Sequence, residues 1–146
     1  MPRFARFPCC AVLLAAGCAA QPRVLLPRPP ASVDPGELVA RAPMRSGDNI
    51  VSTLIERGEH ASLHLVRIAD REQPHVHERY DLTVLLLRGK GTLHLNGRAL
   101  PMRAGDASFI PKGTPHFFVN QGTDPAAALV SFAPAFDGPD QQPLAP

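Results

Sequence analysis

This sequence of 146 residues predicts an all-β sandwich or barrel, and three observations carry that expectation. From about residue 48 to 133, short apolar runs alternate with turn signals at the spacing of consecutive strands. Asn96-Gly97 sits between two such runs and marks a tight hairpin, because both central positions of a type I′ turn need φ > 0. The chain also has 17 Pro and 11 Gly, with no Trp and one Tyr, which leaves little sequence for long helices.

The strands follow in order. Ala61–Ile68 and Leu82–Leu87 have strand length and are rich in branched residues. Thr92–Leu95 follows the Gly89-Lys90-Gly91 turn and leads into the Asn96-Gly97 hairpin. Ser108–Ile110, Phe117–Val119 and Ala128–Phe132 complete the series. At most a turn or two of helix is expected, around Asp48–Glu56. No internal repeat is evident.

The first residues read as a targeting segment. Arg3 and Arg6 precede an apolar run, Cys9–Ala16, that is too short to cross a bilayer, which needs ~20 apolar residues. Its end, Leu14-Ala15-Ala16-Gly17-Cys18, resembles the lipobox of bacterial lipoproteins, although Ala15 stands where Leu is most usual. The resemblance implies a signal peptide over residues 1–17, a lipidated Cys18 as mature N-terminus, and a place at the cell envelope, on the periplasmic face of the outer membrane. An ordinary signal cut after Ala20 is the alternative. Cys9 and Cys10 leave with the signal, so the mature domain has no disulfide, cysteine nucleophile or thiolate metal site.

Beyond Cys18, residues 18–47 read as a Pro-rich tether. Pro22, Pro27, Pro29, Pro30 and Pro35 fall there, and proline favours extended chain close to polyproline II. Residues 134–146, with Pro134, Pro139, Pro143 and Pro146, read as a loose tail. The domain itself is expected over residues 48–133. Although the formal net charge is +2, Arg3 and Arg6 account for it, and the chain after the signal is neutral. Nucleic acid is therefore not an expected partner, since phosphate binding needs a basic excess.

The chemistry signal lies in histidines. In a strand, His75 and His77 project from one face, close enough to share an ion, although an exposed or core-satisfied pair has the same spacing. Gly105, Pro111, Gly113, His116 and Asn120 then follow at the spacing of the second cupin motif, G(x)5PxG(x)2H(x)3N, and match it at every defined position. The upstream stretch resembles the first cupin motif through His75, His77 and Gly89, with Ala69 where that motif opens on Gly. Over roughly residues 50–133 the sequence is thus similar to a small, single-domain cupin of the second type. That resemblance implies a jelly-roll β-barrel with a central metal held by three His and one Glu.

One ligand departs from the pattern. Counted back from Gly89, the family's Glu falls on Leu82, and the nearest acid, Asp81, lies one position early and so starts on the opposite face. The expected metal ligands are His75, His77 and His116, with Asp81 contributing weakly through a bulge or not at all. Glu78 reads as a solvated carboxylate, His94 as an outward residue, His60 and His64 as surface residues, and Tyr80 as packing on the barrel mouth. Leu82, Val84, Leu86 and Phe109, with Phe117 or Phe118, are the expected apolar pocket. Three neutral imidazoles suit one divalent transition metal, without choosing among Fe, Mn, Ni, Cu and Zn. Metal affinity is then expected to fall as pH drops through ~6.5, the ordinary imidazole pKa.

Hydrolase and nucleotide-binding motifs are missing from the sequence, so those functions have no residue support. The resemblance leaves a small-molecule metalloenzyme of dioxygenase or isomerase type, with catalytic residues unassigned. Non-catalytic capture of a small ligand or metal at the envelope, or a partner-binding scaffold, are the competing readings. Membrane contact would run through the lipid anchor only. Pairing of two copies through exposed barrel edges is the expected assembly.

Overall fold

The computed structural model describes residues 23–27, 29 and 31–144. The signal segment and Cys18 lie outside the described residues.

In chain order the elements are β1 (Val24–Leu25), β2 (Ser32–Val33), α1 (Pro35–Arg41), β3 (Ile50–Arg57), β4 (Ser62–Ile68), β5 (His75–His77), β6 (Asp81–Arg88), β7 (Lys90–Leu95), β8 (Arg98–Arg103), β9 (Ala107–Ile110), β10 (His116–Asn120), β11 (Ala126–Ala133) and β12 (Gln141–Pro143). Two five-stranded sheets, ordered β12-β5-β10-β7-β8 and β3-β4-β11-β6-β9, form the jelly-roll barrel. All their pairings are antiparallel. The hairpin between β7 and β8 turns on Asn96 and Gly97 at φ 48° and 77°, as the type I′ turn requires. The stretch around Asp48–Glu56, where a helical turn was expected, is strand β3 instead. Its Ile50, Ser52 and Leu54 pair with Ile68, Val66 and His64 of β4, and that partner decides a segment whose local pattern is ambiguous.

The barrel interior follows from strand alternation. Leu82 and Leu86 on β6 and Ala126, Ala128, Val130 and Phe132 on β11 are buried in one cluster with Leu93, Met102, Ile110 and Phe118. Phe118 needs room beside β7, and Gly91 provides it. A Cβ there would lie 2.3 Å from the Phe118 ring and 2.2 Å from the Val119 carbonyl oxygen. Phe109, expected in the pocket, is 59% exposed. It pairs with Thr83 on the outward parity of β9, whereas the next residue, Ile110, pairs with Leu82 and points inward.

Strand β11 is buried on both faces, and this explains the N-terminal segment. Ala127 and Leu129 face away from the barrel interior and pack with Leu65 against Val24, Val33, Leu38, Val39 and Ala42. The described residues of 23–42 are therefore a folded cover on the outer sheet, where an extended tether was expected. The physical reason is the apolar face they hide. The helix has local signals too: Asp34 caps α1 by accepting from the amides of Gly36 (2.7 Å) and Glu37 (3.4 Å), with Pro35 at the first helical position. Among the described residues no helix is long and apolar enough to cross a membrane.

The C-terminal segment also departs from the expected loose tail. Gln141, Gln142 and Pro143 of β12 pair with His77, Val76 and His75, adding an edge strand beside the histidines. Tyr80 is buried rather than lying at the mouth. Its hydroxyl donates to Asp137, and its ring packs against Phe132 and Phe136.

Candidate metal centre

His75 and His77 lie on β5, and His116 opens β10 directly opposite His75. All three are buried, and one ring nitrogen from each lies within 4.8 Å of the others. Ring centroids are 4.4 Å apart for His75 and His116, 5.1 Å for His75 and His77, and 5.6 Å for His77 and His116. Alternation on β5 and the strand register of β10 bring these rings to one face.

Every ring is held from behind. His75 Nδ1 donates to the Gln73 carbonyl at 2.7 Å, and His116 Nδ1 to the Thr114 carbonyl at 2.8 Å. His77 Nδ1 donates to the Asp140 carboxylate at 2.6 Å. Since a carbonyl or carboxylate oxygen can only accept, each Nδ1 carries the proton and each Nε2 carries the lone pair. That is the tautomer a metal-ligating histidine adopts when an outer acceptor fixes it. Burial pushes the His116 pKa down to about 4, partly opposed by the Thr114 carbonyl. Burial also lowers His77, partly opposed by Asp140. The residues thus fit a divalent transition metal: neutral, preoriented nitrogen donors with no thiolate.

Asp81 lies outside this cluster. Its carboxylate accepts from the Lys112 backbone N–H at 2.8 Å, while Leu82 lines the interior. The expected role of Asp81 as a weak ligand is corrected on that ground: no bulge turns it inward, because Asp81 and Leu82 pair in sequence with Ala133 and Phe132 of β11. His64, expected at the surface, is buried instead. It packs edge-on against Phe132 and Phe136, with its ring nitrogens beside the Ser52 and Ser62 hydroxyls, and burial lowers its pKa. His94 stacks on Phe117 at 4.2 Å outside the cavity, and His60 and Glu78 are exposed.

A cavity of about 310 Å³ opens beside the histidines. Leu82, Val84, Leu86, Phe118 and Phe132 give it apolar walls, and Glu72 and Gln141 bring polar groups to it. Glu72 was not legible as a site residue. One of its oxygens accepts the Phe118 N–H at 2.8 Å, and burial raises its pKa, with His75 pulling the other way. Asp140 was missed as well, since the tail that carries it read as loose. The signal available was one of two acids in a Pro-rich stretch, which says nothing about distance from His77.

Residues 64–132 match the family model described as Cupin domain. That match covers just under half of the chain. An uncharacterized protein of Aquifex aeolicus (strain VF5) is 43% identical over 76 residues, which are 52% of this chain and 62% of that relative. The chain therefore aligns with less than two thirds of that relative's length. TT1209 from Thermus thermophilus superposes with a TM-score of 0.59 at 24% identity, covering 67% of this chain and 95% of that one. KdgF from Halomonas sp. gives a TM-score of 0.57 at 24% identity, over 61% of this chain and 82% of its own. Pac13, described as a nucleoside dehydratase, gives 0.58 at 23% identity, over 73% and 87%. Streptomyces PAC13 was also crystallised with uridine. At these identities the likenesses establish the cupin fold.

Proposed function

We propose that this protein is a membrane-tethered cupin that binds one divalent transition metal on His75, His77 and His116 and transforms a small molecule in the adjoining cavity. The observation that carries this reading is that all three Nδ1 atoms are bonded outward, leaving three lone pairs on one face. When bound, the metal supplies a Lewis acid and an open position for a substrate oxygen. The apolar walls exclude water and favour a compact ligand of aliphatic or aromatic character. With no carboxylate at Leu82, the centre carries one more positive unit than a three-His, one-Glu site. Anionic or enolisable chelating ligands suit it best.

Glu72 narrows the reaction type. Its Phe118-bound oxygen is fixed, its carboxyl lines the cavity with the histidines and burial pushes its pKa up, so Glu72 is the proton carrier we assign. Proton-transfer chemistry of isomerase type therefore has more residue support than dioxygenase chemistry. The crystallisation of a fold neighbour with a nucleoside supports small-molecule binding in such a barrel. Turnover assays of the metal-loaded protein across small keto acids, diketones and sugars test the reading. Glu72→Gln should lose turnover while retaining ligand binding; ligand binding without turnover in the parent would favour a non-catalytic envelope module.

The tether is proposed to be a lipid on Cys18. Because Val24 is already buried in the outer cluster, such a lipid would hold the barrel close to the bilayer, on the periplasmic face of the outer membrane. Fractionating cells that express Cys18→Ala checks it: release from the membrane is expected, and unchanged membrane association would contradict the anchor.

A further inference from the structure

The open side of the histidine cluster is bordered by a side chain from the C-terminal edge strand. In the β12–β5 ladder Gln141 stands opposite His77 and Pro143 opposite His75. Residues directly opposite in an antiparallel pair project to the same face, so Gln141 shares the face of the two imidazoles. Its side chain lines the cavity, and its amide nitrogen lies 3.3 Å from His75 Nε2. That nitrogen of His75 carries the lone pair, because Nδ1 is committed to the Gln73 carbonyl. The Gln141 amide therefore reaches the very atom an ion must use. Half a turn about the last side-chain bond exchanges its N–H donors for its carbonyl oxygen, a hard ligand for divalent metals.

The opposite sheet offers no substitute. Leu82 stands where the motif places its acid, and Asp81 is bonded to the Lys112 amide. Among the described His, Cys, Asp and Glu residues, the three histidines alone form a ligand group. Resting on the metal-binding reading above, we propose that Gln141 Oε1 is the fourth protein ligand of this centre, delivered from the added edge strand of the histidine sheet. The site is then three nitrogens and one neutral oxygen. Its fourth ligand travels with β12, whose approach is anchored at Asp140 through His77 Nδ1 and the Arg79 N–H.

Cobalt(II) titration of the full chain, Gln141→Ala and Gln141→Glu tests this, followed by visible absorption and metal content. Gln141 is exposed at the mouth, so both variants should keep the parent's melting temperature without metal. Gln141→Ala should weaken cobalt binding about tenfold and change the intensity and position of the visible bands. Gln141→Glu should bind more tightly than the parent, since it adds a charged oxygen at the same place. Unchanged affinities and superimposable spectra would overturn the fourth ligand while leaving the three-histidine site standing. Tighter binding by Gln141→Ala would also overturn it, by showing that the amide competes with the ion. Cobalt content near zero in the parent would overturn the metal reading and this proposal together.

Discussion

Both flanks of the barrel are rich in proline, one read as an extended tether and the other as a loose tail, yet each packs, and each covers a different kind of surface. The N-terminal flank, in its described residues of 23–42, lies on the outside of the β3-containing sheet and hides Leu65, Ala127 and Leu129 with Val24, Val33, Leu38 and Val39. Its contribution is apolar burial. The C-terminal flank carries exposed Gln141, Gln142 and Pro143, and beside them it buries a polar group: Asp140, bonded to His77 and to the Arg79 amide. Its contribution is orientation of a ligand. Proline constrained the local backbone in both, but the surface each flank meets decided its role.

That contrast breaks if the two flanks respond alike to mutation. The largest expected effect is on stability from the N-terminal side. Leu38 is 1% exposed, so Leu38→Ala should cost about 2–5 kcal/mol in urea unfolding, with metal stoichiometry of the remaining folded protein unchanged. From the C-terminal side the expected loss is in binding. Asp140→Asn removes the carboxylate that fixes the His77 tautomer, and metal affinity should fall about 10–100-fold. Its metal-free unfolding midpoint should move far less than that of Leu38→Ala. A result in which Asp140→Asn unfolds the protein but spares affinity would merge the two roles into one.

A pH series sharpens the same comparison. Burial pushes His116 down to about 4, so its ring stays neutral at pH 6, and burial also holds His77 below its ordinary value. On that ground metal affinity between pH 7 and 5.5 should fall less steeply than the ordinary imidazole value of ~6.5 would give for all three ligands. The stability sign is also fixed. A histidine whose folded pKa is depressed takes up its proton on unfolding, so the unfolded chain binds more protons below ~6.5 and stability drops as pH falls from there toward 4. The Leu38 cluster contains no titratable side chain, so the increment lost in Leu38→Ala should be constant over this window.

The smallest expected effects come from residues that alternation turns away from the cavity. Asp81→Asn should change metal affinity by less than about twofold, because its carboxylate serves the Lys112 amide. Phe109→Ser should lie within about 0.5 kcal/mol of the parent, since the ring is already 59% exposed. A large loss in either would mean that the strand parity of β6 or β9 is wrong.

What was legible in the sequence was local or periodic. The hairpin at Asn96-Gly97, the inward parity of Leu82, Val84 and Leu86, and the pairing of His75 with His77 follow from turn chemistry and the two-residue strand repeat. Motif spacing added His116. The Asp34–Glu37 start of α1 was local as well, but it lay within a proline-rich stretch whose composition outweighed it. Phe109 shows the cost of a parity error in a four-residue strand, where no long alternation fixes the register. Glu72, Asp140 and Gln141 were illegible for another reason. Each reaches the site through a contact distant in sequence: Glu72 to Phe118, Asp140 to His77, Gln141 to His75.

The central claim is that three preoriented histidines on β5 and β10 make one metal site. Metal content after dialysis under metal-replete conditions, on the parent and on His116→Ala, tests it most directly. The account predicts one divalent transition metal per parent chain and a near-complete loss in His116→Ala, with the β-sheet circular dichroism of both proteins alike. A parent content near zero, or a His116→Ala variant that holds metal as well as the parent, would contradict it.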